Sequence, residues 1–363
     1  MKNTFGNNVT VTLFGESHGK GIGAIIDGLS AGIKVEEAFI RYQLSLRRPV
    51  GDISTPRAEA DNFIIYSGVF KGYTTGTPIC IVIPNEDTKS KDYSEIKSKM
   101  RPSHADYTAF VKYNGFADFR GGGHFSGRIT AAIVAAGAII ISALKQKGIA
   151  IGTHISRCAN INDIPLNDYE KDISALNNKA FAVLDDGIAE NMKNVILKAK
   201  AEGDSVGGIL ETAVIGMPEG VGEPWFDTVE GMLSHALFSV PAVKGVEFGA
   251  GFNIADMKGS EANDELYYEN GRVYTKTNNN GGINGGITNG MPIIFRTAVK
   301  PTPTISKPQN TVDIETKQNI SFTALGRHDP CIVHRARVVV DSITAIVLCD
   351  MLSAKYGTDW QAL

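Results

Sequence analysis

Hydrophobic and polar positions change period several times along the chain, and each change marks an element. Residues 9–14 alternate threonine with apolar side chains and residues 23–27 are short and apolar, which predicts two strands around a glycine-rich turn. Residues 35–46 have helical spacing. Residues 62–70 and 77–83 read as strands joined by Lys-Gly-Tyr-Thr-Thr-Gly, a hairpin-like connection. A polar stretch over 85–100 leads to Arg101-Pro102-Ser103-His104. The longest apolar run, 129–144, contains Ser142 and is bounded by Arg128 and Lys145. It is shorter than the roughly 20 residues of a bilayer span and predicts a buried helix over 130–146.

The second half repeats this plan. Residues 160–201 are more polar, with helical spacing over 188–201; residues 207–216 read as a strand, 226–238 as a helix and 243–252 as a strand. A Gly/Asn loop spans 277–290, and a helix over 338–354 closes the pattern. Periodicity alone shows mixed strands and helices, compatible with two similar α+β halves at roughly 1–150 and 200–363 and a more variable polar segment at 155–200.

Composition narrows the function classes. The chain has 363 residues, 43% hydrophobic and 21% charged, enough for a substantial core. Lys+Arg 36 against Asp+Glu 39 gives a net charge of -3, so the global field attracts neither nucleic acid nor anionic membrane, and any anion site must be local. No secretory signal pattern is visible, and a cytoplasmic protein is expected. Cys80, Cys158, Cys331 and Cys349 are scattered without Cys-x-x-Cys spacing, which suggests neither a zinc site nor a disulfide framework. No metal is expected.

The candidate chemistry sits in loops. Four of seven histidines lie in glycine- or proline-punctuated stretches: His18, His104, His124 and His328. Imidazole exchanges a proton near neutral pH, and loops display chemistry on a scaffold. Gly15-Glu16-Ser17-His18-Gly19 has the spacing of a hydrolase nucleophile elbow, and Gly19 to Ala24 fits a loose dinucleotide pattern, but an apolar strand follows where both motifs need a helix. Ser17 and His18 then read either as turn residues or as part of a site. Arg47-Arg48-Pro49 is either an anion grip or a solvated helix end. His104 beside Arg101 and Asp106 is either an acid for a leaving anion or a solvated residue in a helix cap. The loop Arg120 to Arg128 keeps three successive glycines at an entropic cost, which favours close approach of backbone to a ligand beside Ser126 and Arg128. Lys300-Pro301-Thr302-Pro303-Thr304 suggests a second anion grip, and Arg327-His328-Asp329-Pro330 with Arg335 and Arg337 sets a carboxylate among cations.

Taken together, these segments resemble the chorismate synthase family, in that family's order along nearly the whole chain. The matching stretches are 14–19, 47–49, 67–79, 101–108, 120–123, 203–205, 220–227, 241–252, 280–290, 300–304 and 326–331. The resemblance implies a single-domain α+β fold, a β-α-β sandwich with internal pseudo-twofold duplication, and a homotetramer. It implies a carbon–oxygen lyase that converts 5-enolpyruvylshikimate 3-phosphate to chorismate by 1,4-anti elimination of phosphate and a C6 hydrogen, requiring reduced FMN without net redox change.

By the same resemblance, His104 would protonate the departing phosphate, His18 supported by Ser17 would sit by the flavin, Asp329 would deprotonate flavin N5, and Ser126 would assist proton relay. Arg47, Arg48, Arg128 and Arg335 would hold substrate anions. FMN would contact His124, Phe125, Ser126, Pro241, Ala242, Gly285, Lys300, Pro301, Thr302, Pro303, Thr304 and Arg327. His328 is expected to position Asp329. Three positions depart from the family pattern: His124-Phe125-Ser126-Gly127-Arg128 stands for Arg-Ser-Ser-Ala-Arg, Ile53 for an arginine, and Asp341 for a glutamate. No segment assignable to NADPH-driven flavin reduction is visible, so an external flavin reductase is expected, with NADPH only indirectly the reductant. The competing readings are an NAD-dependent oxidoreductase built on the Gly19 turn and a non-catalytic phosphate- or RNA-binding protein.

Overall fold

The computed structural model describes residues 2–49, 51–55, 60–86, 97–324 and 328–361. The first half contains β1 (Thr4–Phe5), β2 (Thr10–Gly15), β3 (Gly21–Asp27), β4 (Ala31–Lys34), α1 (Glu37–Arg47), β5 (Ile64–Ser67), β6 (Val69–Phe70), β7 (Tyr73–Thr75), β8 (Ile79–Pro84), α2 (Asp106–Lys112) and α3 (Thr130–Gln146). An antiparallel sheet runs β1-β2-β3-β8-β5. The inward positions of β8, Ile79, Ile81 and Ile83, are buried, as a half-buried strand requires. The connection from β5 to β8 is more elaborate than the expected turn, because β6 and β7 form their own hairpin and β7 also pairs with β4. The Gly19 to Ala24 turn runs into β3 and not into a helix, which removes the structural basis of a dinucleotide site there.

The second half contains β9 (Ala150–Cys158), β10 (Ile161–Asn162), α4 (Tyr169–Leu176), α5 (Asp186–Ala201), β11 (Gly208–Ile215), α6 (Val229–Leu237), β12 (Val243–Phe248), α7 (Gly259–Ala262), β13 (Leu266–Glu269), β14 (Arg272–Thr275), β15 (Ile283–Asn284), β16 (Ile287–Thr288), β17 (Ile293–Val299), β18 (Gln309–Asp313), β19 (Gln318–Phe322) and α8 (Val333–Tyr356). The second large sheet is antiparallel, in the order β10-β9-β11-β17-β12. Helix α3 packs on β3 and β8, α8 packs on β9 and β11, and the two helices pack on each other. The result is an α+β sandwich with helices between two sheets. Helix α3 is apolar nearly all round, and the 127–146 segment is long and apolar enough to cross a membrane, yet 83% of it lies inside the protein. Gly137 lets α3 meet α8 closely: a Cβ there would stand 2.3 Å from Ser342 Cβ.

Helix α8 begins at Val333, ahead of the expected 338, and Arg337 in its added first turns is paired inside the core. Arg337, 1% exposed, donates from Nη1 to Asp341 Oδ2 at 3.2 Å and from Nη2 to Lys179 O at 3.2 Å. Asp341 also accepts from Thr153 Oγ1 at 2.6 Å. Burial pushes the Asp341 carboxyl above its usual range despite Arg337.

A second charged network crosses the sheet formed by β9, β11, β17 and β12. The register sets His154 opposite Glu211, Glu211 opposite Arg296, and Arg296 opposite Glu247. His154 is buried, with Nε2 3.0 Å from Glu211 Oε2 and Nδ1 2.9 Å from Asp163 Oδ2. Carboxylates only accept, so both ring nitrogens carry protons. Burial lowers the imidazole pKa, but the hydrogen bonds and charges of Asp163 and Glu211 outweigh it, and the net shift is upward. A histidine raised in the folded state contributes stability that is complete below its unfolded pKa of about 6.5 and lost as pH rises through the folded value. The melting temperature is therefore expected to fall across that alkaline interval, and His154→Gln to flatten the fall. Parallel melting curves against pH for the two proteins would exclude this origin.

Candidate active site

The three glycines of the Arg120–Phe125 turn have φ of 59°, 83° and 54°, the left-handed region that favours glycine. The space beside them is also taken. A Cβ at Gly121 would stand 2.2 Å from His18 Cε1 and 2.9 Å from Ser17 Oγ; at Gly122, 3.3 Å from His104 Cε1; at Gly123, 1.9 Å from Asp118 O. One loop thus carries two histidines, His18 from the turn between β2 and β3 and His104 from the turn before α2. Ser17 N donates to Gly123 O at 3.1 Å. His124 Nδ1 donates to Gly15 O at 2.7 Å, so His124 ties the loop to the His18 turn.

His104 is oriented by its own segment. Its Nδ1 lies 2.7 Å from Asp106 Oδ1 and 3.2 Å from Arg101 Nη2. The shorter contact fits an Nδ1–H donated to the carboxylate, which leaves Nε2 as the exchangeable position. Asp106 is held in turn by Arg101, from Nε at 2.7 Å and from Nη2 at 2.8 Å. Burial raises the Asp106 pKa, but hydrogen bonds from Arg101 and His104 hold its carboxyl well below the usual range. Lys300 Nζ donates to Ser103 O at 2.6 Å, and Lys300 N donates to Ala242 O at 2.9 Å, so the second half of the chain reaches this turn. Ser103 has a φ of 58°, a strained value for a residue with a side chain.

Beside this loop lies a buried cationic cluster that the sequence reading did not assemble. Asp61, 4% exposed, bridges two arginines: Arg47 Nη2 donates to Oδ2 at 3.0 Å and Arg128 Nη1 donates to Oδ1. Burial opposes ionisation of Asp61, but the two guanidinium groups outweigh it and hold its pKa below the usual range. Arg128 N takes Ser126 Oγ as acceptor at 3.3 Å, so the Ser126 hydroxyl caps the turn that leads into α3. Arg47 and Arg128 are both engaged inside the protein; Arg48 Nε is buried without a hydrogen-bond partner among the described residues.

Asp329 borders a cavity of about 200 Å³ lined in part by Ser54, Thr55, Lys200, Thr304 and His328. Its Oδ2 accepts from Arg335 Nη1 at 2.5 Å and its Oδ1 from Thr55 N at 3.1 Å. Arg335 is therefore paired with the expected base. His328 faces Ala324 O at 3.4 Å, a contact on its own loop and not one to Asp329. Burial lowers the His328 pKa, and the positive charge of Arg101 adds to this, while the hydrogen bond to Ala324 O and the charge of Asp329 oppose it.

The described contacts thus join Ser17, His18, His104, His124, Ser126, Arg47, Arg128, Arg335, Asp329, Ala242 and Lys300. Phe125 meets Tyr113 edge-on at 6.1 Å, and Ser205 Oγ donates to Thr302 O at 2.7 Å. Pro241, Pro301 and Pro303 flank these residues in sequence. Gly285 lies in the turn between β15 and β16, where the adjoining Gly286 packs on Thr228 at the start of α6. Arg327 lies outside the described residues. Ser17 Oγ and Thr302 Oγ1 are buried without a hydrogen-bond partner among the described residues, and a glycine loop runs beside the first. Such orphaned hydroxyls beside bare backbone suit a ligand rich in ring nitrogens, oxygens and phosphate, as FMN is.

Comparison with known proteins places this arrangement. The chorismate synthase family model matches residues 9–353. A chorismate synthase of Pyrococcus abyssi is 48% identical over 347 residues, covering 96% of each chain. One from Korarchaeum cryptofilum is 45% identical over 354 residues, covering 95% of this chain and 96% of the other. A crystal structure of chorismate synthase superposes with a TM-score of 0.77 at 31% identity, over 97% of this chain and 94% of that one. With its sheets, helices and glycine loop matched along nearly their whole length, the chain belongs to the chorismate synthase family.

Proposed function

We propose that this chain eliminates phosphate from 5-enolpyruvylshikimate 3-phosphate to give chorismate, with reduced FMN required. The observation that carries the reading is the convergence of His18 and His104 on Gly121 and Gly122. The elimination needs an acid for the departing phosphate, fixed positive charge for the substrate's anionic groups, and a proton acceptor. His104, its Nδ1–H engaged by Asp106, offers Nε2 to the phosphate. The Arg47 and Arg128 guanidinium groups, both held on the Asp61 carboxylate, and Arg48 next to Arg47 in sequence supply fixed cations for the substrate's anionic groups. Asp329, held by Arg335 and Thr55 N, is the proton acceptor of the site. Reduced FMN, when bound, supplies an electron-rich ring that can lend an electron and take up hydrogen. Ser17, His18, His124 to Ser126, Ala242 and Lys300 to Thr304 are the described residues best placed to hold it.

The reading is completed by a single domain of two similar halves, a cytoplasmic location, an external flavin reductase using NADPH, and a homotetramer. The exposed β13–β14 hairpin, with Leu266 at 70% and Tyr268 at 74%, and exposed Trp225 and Phe226 support assembly through apolar surface. Anaerobic incubation with chemically reduced FMN and the substrate is expected to release phosphate and form chorismate in equal amounts. No turnover under those conditions would overturn the reading.

A further inference from the structure

We propose that Asn85 is a positioning residue, the link in a continuous polar rail that holds the His18 turn in fixed relation to Asp329. Its carboxamide is used at both ends. Nδ2 donates to Glu16 O at 2.9 Å and to Gly19 O at 3.0 Å, the two ends of the turn that carries Ser17 and His18. Oδ1 accepts from Arg128 Nε at 3.2 Å, and the backbone N donates to Lys20 O at 3.2 Å. From Arg128 the rail passes to the Asp61 carboxylate and then to Arg47. Arg47 O accepts from Arg335 Nε at 2.8 Å, and Arg335 Nη1 donates to Asp329 Oδ2 at 2.5 Å. Every junction pairs a donor with an acceptor, and at the Asn85 junction only a side chain that donates and accepts together can serve.

Position explains why such a link is needed. The His18 turn has one short backbone closure, Gly19 N to Glu16 O at 3.1 Å, and is flanked by glycines that by themselves leave it adaptable. The glycine loop packs on His18 from one side, and Asn85, just past the end of β8, holds the turn from the other. Displacement of a reacting group by about 1 Å costs on the order of 10²-fold in rate. Asn85 touches neither His18 nor Asp329; it acts through the turn backbone and through Arg128.

The proposal rests on the functional reading above, and the experiment separates the two. His18→Ala, Asn85→Ala, Asn85→Asp and the double variant His18→Ala/Asn85→Ala are assayed with saturating reduced FMN, with thermal melts alongside. Asn85→Ala is expected to lower kcat by about 10- to 100-fold with substrate KM nearly unchanged. The double variant is expected to be no slower than His18→Ala, because the positioned group is already gone. Asn85→Asp keeps the size and the acceptor for Arg128 but sets a carboxylate oxygen against the Glu16 and Gly19 carbonyls in place of the donor, and should lose rate while the melt reports whether the protein is still folded. No turnover in the native protein overturns the functional reading, and a wild-type rate in His18→Ala removes His18 from the site and the positioning role with it. A slow His18→Ala together with a near-wild-type Asn85→Asp, or with a double variant whose losses multiply, overturns the positioning role alone.

Discussion

His104→Ala is expected to lower turnover by about 10²- to 10⁴-fold, the range that general acid catalysis by a positioned side chain supplies. The loss should fall on kcat, because the imidazole, 20% exposed, is read as the acid of the reaction while the proposed substrate grips are guanidinium groups. Asp106→Asn is the informative companion. It leaves the imidazole in place but reduces two acceptor oxygens to one, so His104 Nδ1–H and Arg101 compete for it and the bidentate pair with Arg101 is broken. Its effect should be smaller than that of His104→Ala and should appear with little change in substrate affinity. Both are read from phosphate release and chorismate absorbance under anaerobic, reduced conditions. A wild-type rate in His104→Ala would remove this residue from the mechanism.

The parts of the fold legible in the sequence are those whose periodicity is local. The apolar 130–146 segment, the alternation of β2 and the spacing of α5 each sit within one window, and the structure places elements there. Strand β17 alternates strictly between buried and half-buried positions, yet it escaped because Arg296 and Thr297 break its apolar run and a Gly/Asn loop precedes it. Arg296 is accommodated by Glu247 and Glu211, from two other strands, and by Gly249 O. The start of α8 was hidden for a like reason, since Arg337 reads as one of the cations around Asp329 and its partners Asp341 and Lys179 O are set by the fold. At the site, motif chemistry pointed to His18, His104, the glycine loop and Asp329. It missed Asp61 and Asn85, which lie 67 and 43 residues from Arg128. An aspartate and an asparagine in polar stretches carry no signal of their own; their roles come from side chains that only the tertiary fold assembles.

Asp61→Asn is expected to destabilise the protein by about 3–5 kcal/mol, the cost of leaving buried charge without its partner. Asparagine matches the shape of aspartate and can still accept from one guanidinium. It carries no charge, so Arg47 and Arg128, 6% and 7% exposed, would lose the buried carboxylate that bridges them. The native carboxylate's position has its own backbone cost, a φ of 52°, which aspartate and asparagine both tolerate, so the substitution isolates the charge. The sign of the pH dependence follows from the depressed Asp61 pKa, where burial opposes and the two arginines prevail. A carboxyl depressed in the folded state contributes stability present above its unfolded pKa of about 3.9 and lost as pH falls through the folded value. The variant should therefore lie below the native protein throughout the neutral range and converge on it in acid. Urea titrations from about pH 7 down to about pH 3 measure both curves. Activity should fall with stability at neutral pH, since Arg47 O anchors Arg335 and Arg335 holds Asp329. A variant with the native midpoint at pH 7 would show that water or rearranged side chains already satisfy the two guanidinium groups.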